Sequence, residues 1–137
     1  DYVVQEFISD KNGEFTCVLF RSSSGEIRSQ IFKRELHGGY SGYGEVIENE
    51  GITTLLAKIA VKLDLVGSIN VQLRLSGNSP KVFEINPRFS STVLFRHLLG
   101  FKDVEWSIQE FLGEGISEYI KPQVGKCFYK GYNEYIA

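Results

Sequence analysis

The chain opens on a run too rich in apolar residues to read as a loop. Tyr2-Val3-Val4-Gln5-Glu6-Phe7-Ile8 has the β-branched and aromatic content of a strand, and Ser9–Gly13 follows as a polar turn. Glu14–Arg21, full of Phe, Thr, Val and Leu, is a second strand. Ser22-Ser23-Ser24-Gly25 then turns the chain into a third, Glu26–Lys33. His37-Gly38-Gly39-Tyr40-Ser41-Gly42-Tyr43-Gly44 follows, and its four glycines predict a flexible loop.

The period changes at Thr53. From there to Leu65 the apolar residues Leu55, Leu56, Ile59, Ala60 and Leu63 fall on one helical face, with Lys58, Lys62 and Asp64 elsewhere. Thr53 or Thr54 can cap the start, and Gly67 follows the end. Ile69–Leu75 alternates as a strand, Ser76–Lys81 turns, and Val82–Asn86 returns until Pro87 stops it. Two helices complete the pattern, Ser91–Leu99 before Gly100 and Asp103–Leu112 before Gly113. The tail, with Phe128, Tyr129, Tyr132 and Tyr135, reads as a strand plus an irregular end. Strands come first, then a helix, a hairpin and further helices. This order predicts an α+β fold with a mainly antiparallel sheet and helices packed on one face.

The hairpin Ile69–Asn86 carries the most chemistry. Alternation puts Ile69, Val71, Leu73 and Leu75 on a core face and Asn70, Gln72 and Arg74 on the other. On the returning strand Phe83 and Ile85 are expected to face the core, with Val82, Glu84 and Asn86 opposite. A turn near Asn78 or Ser79 sets Gln72 against either Glu84 or Asn86, and both registers bring the polar faces together. Three oxygen-bearing side chains thereby converge, a donor set suited to magnesium, and Arg88 adds a fork of donors for phosphoryl oxygens. Residue spacing alone favours the plainer reading, a solvated polar face ending in an Asn86-Pro87 turn.

Glu84-Ile85-Asn86-Pro87-Arg88, preceded by Gly67-Ser68-Ile69-Asn70-Val71-Gln72, resembles the metal-binding core of ATP-grasp enzymes. It is most similar to the branch that includes the carbamoyl phosphate synthase large subunit. The resemblance covers about residues 2–113 and implies the C-terminal lobe of an ATP-grasp fold, with 114–137 as an extension. It implies that Gln72, Glu84 and Asn86 hold magnesium (or manganese) on the phosphates of ATP, and that Arg88 is catalytic, contacting phosphate or the reacting acyl group. Gln5, Glu6, Phe7 and Ile8 resemble the hinge strand that binds the adenine edge. Glu14 matches a glutamate that accepts hydrogen bonds from the ribose hydroxyls, and Gly38–Gly44 a segment beside the phosphates. The implied activity is an ATP-dependent ligase joining a small carboxylate or bicarbonate to an amine or ammonia through an acyl phosphate. The alternative is a nucleotide-binding or regulatory remnant without catalysis. The family's earlier lobes, which supply a phosphate-binding lysine and a glycine-rich lid, have no counterpart here, so this piece alone is expected to be inactive.

Composition adds bounds to that picture. The chain has 137 residues, 42% hydrophobic and 23% charged, enough for one small core. It contains no Met, which suggests a piece cut from a longer chain. A net charge of −2 and a pI near 5.7 argue against nucleic acid or a membrane surface as the main partner. No apolar run approaches the roughly 20 residues that span a bilayer. Cys17 and Cys127 stand far apart in apolar surroundings, as two reduced core thiols of a cytoplasmic protein would. His37 and His97 are read as packed or partly exposed side chains. Nothing in the sequence fixes the acceptor or excludes a homo-oligomer.

Overall fold

The structure, a computed structural model, describes residues 2–9 and 11–131. Its elements are β1 (Glu14–Arg21), β2 (Ile27–His37), β3 (Tyr40–Ile47), α1 (Glu50–Lys62), β4 (Gly67–Ser76), β5 (Ser79–Asn86), α2 (Val93–Leu98), α3 (Asp103–Phe111) and β6 (Cys127–Tyr129). The six strands form one sheet in the order β5-β4-β1-β2-β3-β6, each neighbouring pair antiparallel. The fold is α+β, as the element order predicts. Tyr132 and Tyr135 lie outside the described residues.

β1 sits at the centre and is apolar on both sides. Phe15, Cys17 and Leu19 join Ile52, Leu56 and Ala60 of α1 and Val71 and Leu73 of β4 in one core. The intervening Val18 and Phe20 pack on Phe101 and Trp106 at α3, and Phe32, Val46 and Phe128 pack on Phe95 and Leu99 at α2. The helices therefore flank both faces of the sheet, which corrects the expectation that they share one. A strand apolar at consecutive positions must be covered twice, and burying one large side chain contributes about 1.5–3 kcal/mol.

Local chemistry moves several boundaries. α1 begins at Glu50, because the Asn49 side chain accepts from Ile52 N–H and caps it three residues before Thr53. The expected glycine loop is a hairpin. Gly38 and Gly39, both at positive φ, make the two-residue turn between β2 and β3. Gly42 and Gly44 then lie within β3, where a Cβ would overlap the ring of His37 or of Phe128. They are glycines because aromatic rings cover the backbone there, not because the chain needs to flex.

The first predicted strand does not form. The segment 2–9 pairs with no strand, and Tyr2 and Phe7 are 99% and 80% exposed. β-propensity supplies a preference but not the partner that a strand requires. Cys17 is a buried free thiol, as expected, whereas Cys127 is exposed on the edge strand β6. No helix among the described residues is long and apolar enough to cross a membrane.

Candidate functional site

The face of the sheet that carries α2 and α3 is apolar at one end and polar at the other. In the β4–β5 ladder Gln72 stands directly opposite Glu84, and Asn70 opposite Asn86. The register is one of the two that alternation permits. A bulge interrupts it, with Leu73 pairing Val82 and Phe83 passed over. Val82 consequently packs against the α1-side core, and Phe83 turns to the polar face beside Arg74. This reverses the expected orientation of both residues, since an extra residue shifts the alternation by one. Asn86 Nδ2 donates to Glu84 Oε1 at 2.9 Å, and Thr16 Oγ1 donates to Asn70 Oδ1 at 2.9 Å.

Glu14, at the start of β1, is buried between two arginines. Arg34 of β2 donates through Nε and Nη2 to Oε1 (3.0 and 2.5 Å), and Arg74 of β4 donates through the same pair of nitrogens to Oε2 (3.0 and 2.6 Å). Burial by itself would raise the carboxyl pKa. The hydrogen bonds and charges of Arg34 and Arg74 outweigh it and hold Glu14 below the usual carboxylate range. Four N–H donors occupy its acceptor positions, so a ribose diol reaches Glu14 only by displacing or sharing one. Arg34 Nη2 also donates to Gln72 Oε1 at 2.6 Å, and Arg74 Nη1 donates to the Ile8 carbonyl at 2.6 Å.

Glu14, Gln72, Glu84 and Arg88 line one cleft of about 550 Å³, a volume ordinary for a small-ligand site. Asn86 touches that cleft only through Glu84. Phe7 lies against Arg74, its ring centroid 5.5 Å from the guanidinium, while Gln5 and Glu6 are exposed. Arg88 is exposed, with Nη1 donating to the Phe89 carbonyl. His37 and His97 are likewise exposed and do not line the cleft.

Sequence reading overlooked Arg34 and Ser90. Arg34 shares a face of β2 with Arg28, Gln30 and Phe32, so strict alternation along that strand was the signal that pointed to it. Ser90 lies two residues after Arg88 and is held by Arg96 Nη1 at 2.7 Å. Arg96 in turn forms a two-pronged pair with Asp103 (2.9 and 2.7 Å), both side chains only 1% exposed. Ser68 of β4 donates to the same carboxylate, at 2.5 Å. The network pins the loop after Arg88 to α2, α3 and the sheet.

No three His, Cys, Asp or Glu side chains gather among the described residues. Of the two carboxylates that line the cleft, Glu14 is taken up by its arginines and Glu84 is held by no arginine, with the amide oxygens of Gln72 and Asn70 beside it. This all-oxygen set suits a hard divalent cation that completes its shell with phosphate and water.

A family profile described as "ATP-grasp in the biosynthetic pathway with Ter operon" matches residues 2–128. The chain belongs to the ATP-grasp family. It is 30% identical over 116 residues to the C-terminal section of the carbamoyl phosphate synthase large chain of Aquifex aeolicus (strain VF5), a match covering 78% of this chain and 21% of that one. Its fold superimposes on the phosphoribosylaminoimidazole carboxylase ATPase subunit from Aquifex aeolicus with a TM-score of 0.70 at 17% identity, over 82% of this chain and 36% of that one. It also superimposes on N5-carboxyaminoimidazole ribonucleotide synthetase from Thermus thermophilus, again at 0.70, with 16% identity over 85% and 34% of the two chains. The ATP-grasp chain thus spans about a fifth of the curated relative and about a third of the solved structures.

Proposed function

We propose that this chain is the ATP- and magnesium-binding lobe of a carboxylate–amine (or ammonia) ligase that works through an acyl phosphate, with chemistry akin to carbamoyl phosphate synthase. The observation that carries the proposal is the direct cross-strand pairing of Gln72 with Glu84 on a cleft shared with Arg88. In this reading Glu84 and Gln72 hold the cation, and Asn86 joins the set or orients Glu84. Residues 5–8 read the adenine edge, and Glu14 lies toward the ribose. Residues after 113 belong to this lobe as an extension whose described part reaches the sheet edge through β6, and the remaining lobes of the same enzyme complete the clamp.

The chemistry asks little of the side chains beyond placement. An oxygen of the substrate carboxylate or bicarbonate attacks the γ-phosphorus, the bond to the β-phosphate oxygen breaks, and ADP leaves. The amine then attacks the acyl carbon and inorganic phosphate departs. Magnesium, when bound, neutralises charge on the β- and γ-phosphates. Arg88 donates hydrogen bonds to the group in transfer, and Phe83 and Leu36 supply apolar wall to the cleft. No side chain acts as nucleophile.

The test is phosphate release by the complete enzyme with candidate carboxylates. Glu84→Ala is expected to lower kcat/KM by on the order of 10²-fold or more, the scale of one lost preorganised electrostatic contact. Gln72→Ala should cost less, because Glu84 supplies the only formal negative charge in the set. Normal turnover by Glu84→Ala refutes the assignment. A wild-type enzyme that binds magnesium–ADP but turns over no candidate points instead to a nucleotide-binding module.

A further inference from the structure

The Glu14 carboxylate divides its two oxygens between two arms of the cleft. Among the described residues, Oε1 receives only Arg34, and Oε2 receives only Arg74. Beyond Glu14 the arms diverge. Arg34 Nη2 reaches Gln72 Oε1, while Arg74 Nη1 reaches the Ile8 carbonyl and its guanidinium lies over the rings of Phe7 and Phe83, 5.5 and 5.4 Å from their centroids. Resting on the nucleotide site described above, we infer that Arg34 and Arg74 are positioning residues with separate tasks. Arg34 aims the amide of Gln72 at the metal, and Arg74 holds the Phe7–Ile8 segment against the base.

A carbonyl oxygen carries two lone pairs. With one fixed by Arg34, the other is left for a cation between Gln72 and Glu84, and the amide loses its freedom to present nitrogen instead. Groups that orient metal ligands in this way typically alter metal affinity by about 10–100-fold. A bare guanidinium beside Gln72 would repel a divalent ion, and the Glu14 anion, shared with Arg74, offsets part of that repulsion. The planar fork sets its donors toward Glu14 and a second acceptor at fixed angles and spacing. A lysine ammonium keeps the charge and has three donors but all at one point, so lysine at either position breaks the relay.

The experiment measures binding, so it does not depend on turnover. In the complete enzyme, Mn²⁺ affinity is read by electron paramagnetic resonance at saturating ADP, and ADP affinity by calorimetry at saturating Mn²⁺. Arg34→Lys is expected to weaken Mn²⁺ about 10–100-fold and leave ADP within a few-fold of wild type. Arg74→Lys should do the opposite, weakening ADP about tenfold, as the loss of one charged hydrogen bond would. Parallel shifts in both constants for both variants, or no shift in either, overturn the inference. Should a variant not fold, the wild-type complex with Mn–ADP decides. Arg34 must remain bonded to Gln72 while Gln72 ligates the ion, and separation of the two overturns it. A wild-type enzyme that binds Mn–ADP without forming product defeats the ligase reading alone, whereas one that binds neither ion nor nucleotide defeats both.

Discussion

Glu14 shows how much a single residue's role depends on its partners. In the sequence it is a polar residue closing a turn; in the fold it anchors two arginines with every acceptor position filled. Replacing it by Gln leaves both guanidinium groups without their anion, and is expected to cost about 1–3 kcal/mol, as for lost charge-assisted hydrogen bonds on the wall of a cleft. The pH dependence follows from the depressed pKa. The stabilisation is fully present above the ordinary carboxylate value of 4.5 and is lost as pH falls through the lower folded-state value. Urea unfolding should therefore give a constant gap between wild type and Glu14→Gln near neutrality, narrowing in acid. A gap unchanged down to the acid limit would mean that ionisation of Glu14 is not the source. At this scale the facing of Gln72 and Glu84 across the hairpin was legible because β-alternation is local, and the bulge at Phe83 was not, because it depends on how two strands meet.

Elements were legible where their signals are internal. β1 carries its own apolar run, and α1 and α3 carry a helical period, so their existence and type follow from the chain itself. The initial segment fails for the converse reason: its composition suits a strand, but no neighbour among the described residues offers a ladder. The glycines after His37 mislead because flexibility and close approach select the same residue. Gly44 makes this testable. A Cβ there meets the Phe128 ring, which stacks on Phe95 with centroids 4.2 Å apart. Gly44→Ala is expected to destabilise by about 1–3 kcal/mol through overpacking. A neutral result by thermal melting would show that the glycine is there for flexibility after all.

At the scale of the whole molecule, the face that carries the cleft is organised by a tie that no sequence period reveals. Arg96 and Asp103 lie seven positions apart on different helices, and Ser68 and Ser90 join them from a strand and a loop. Asp103→Ala leaves a buried guanidinium unpaired and should cost about 3–5 kcal/mol in a denaturant melt. Because Ser90 and Ser91 line the cleft, the loop after Arg88 should loosen too. Double replacement of Arg96 and Asp103 by apolar residues should recover much of that stability.

The account depends on a divalent ion seated between β4 and β5. The most direct measurement is an anomalous difference map of the complete enzyme crystallised with Mn²⁺ and ADP. The expected peak lies within about 2–2.5 Å of a Glu84 carboxylate oxygen and of Gln72 Oε1, with a phosphate oxygen completing the shell. A well-occupied metal–nucleotide complex whose ion contacts neither side chain would contradict the account.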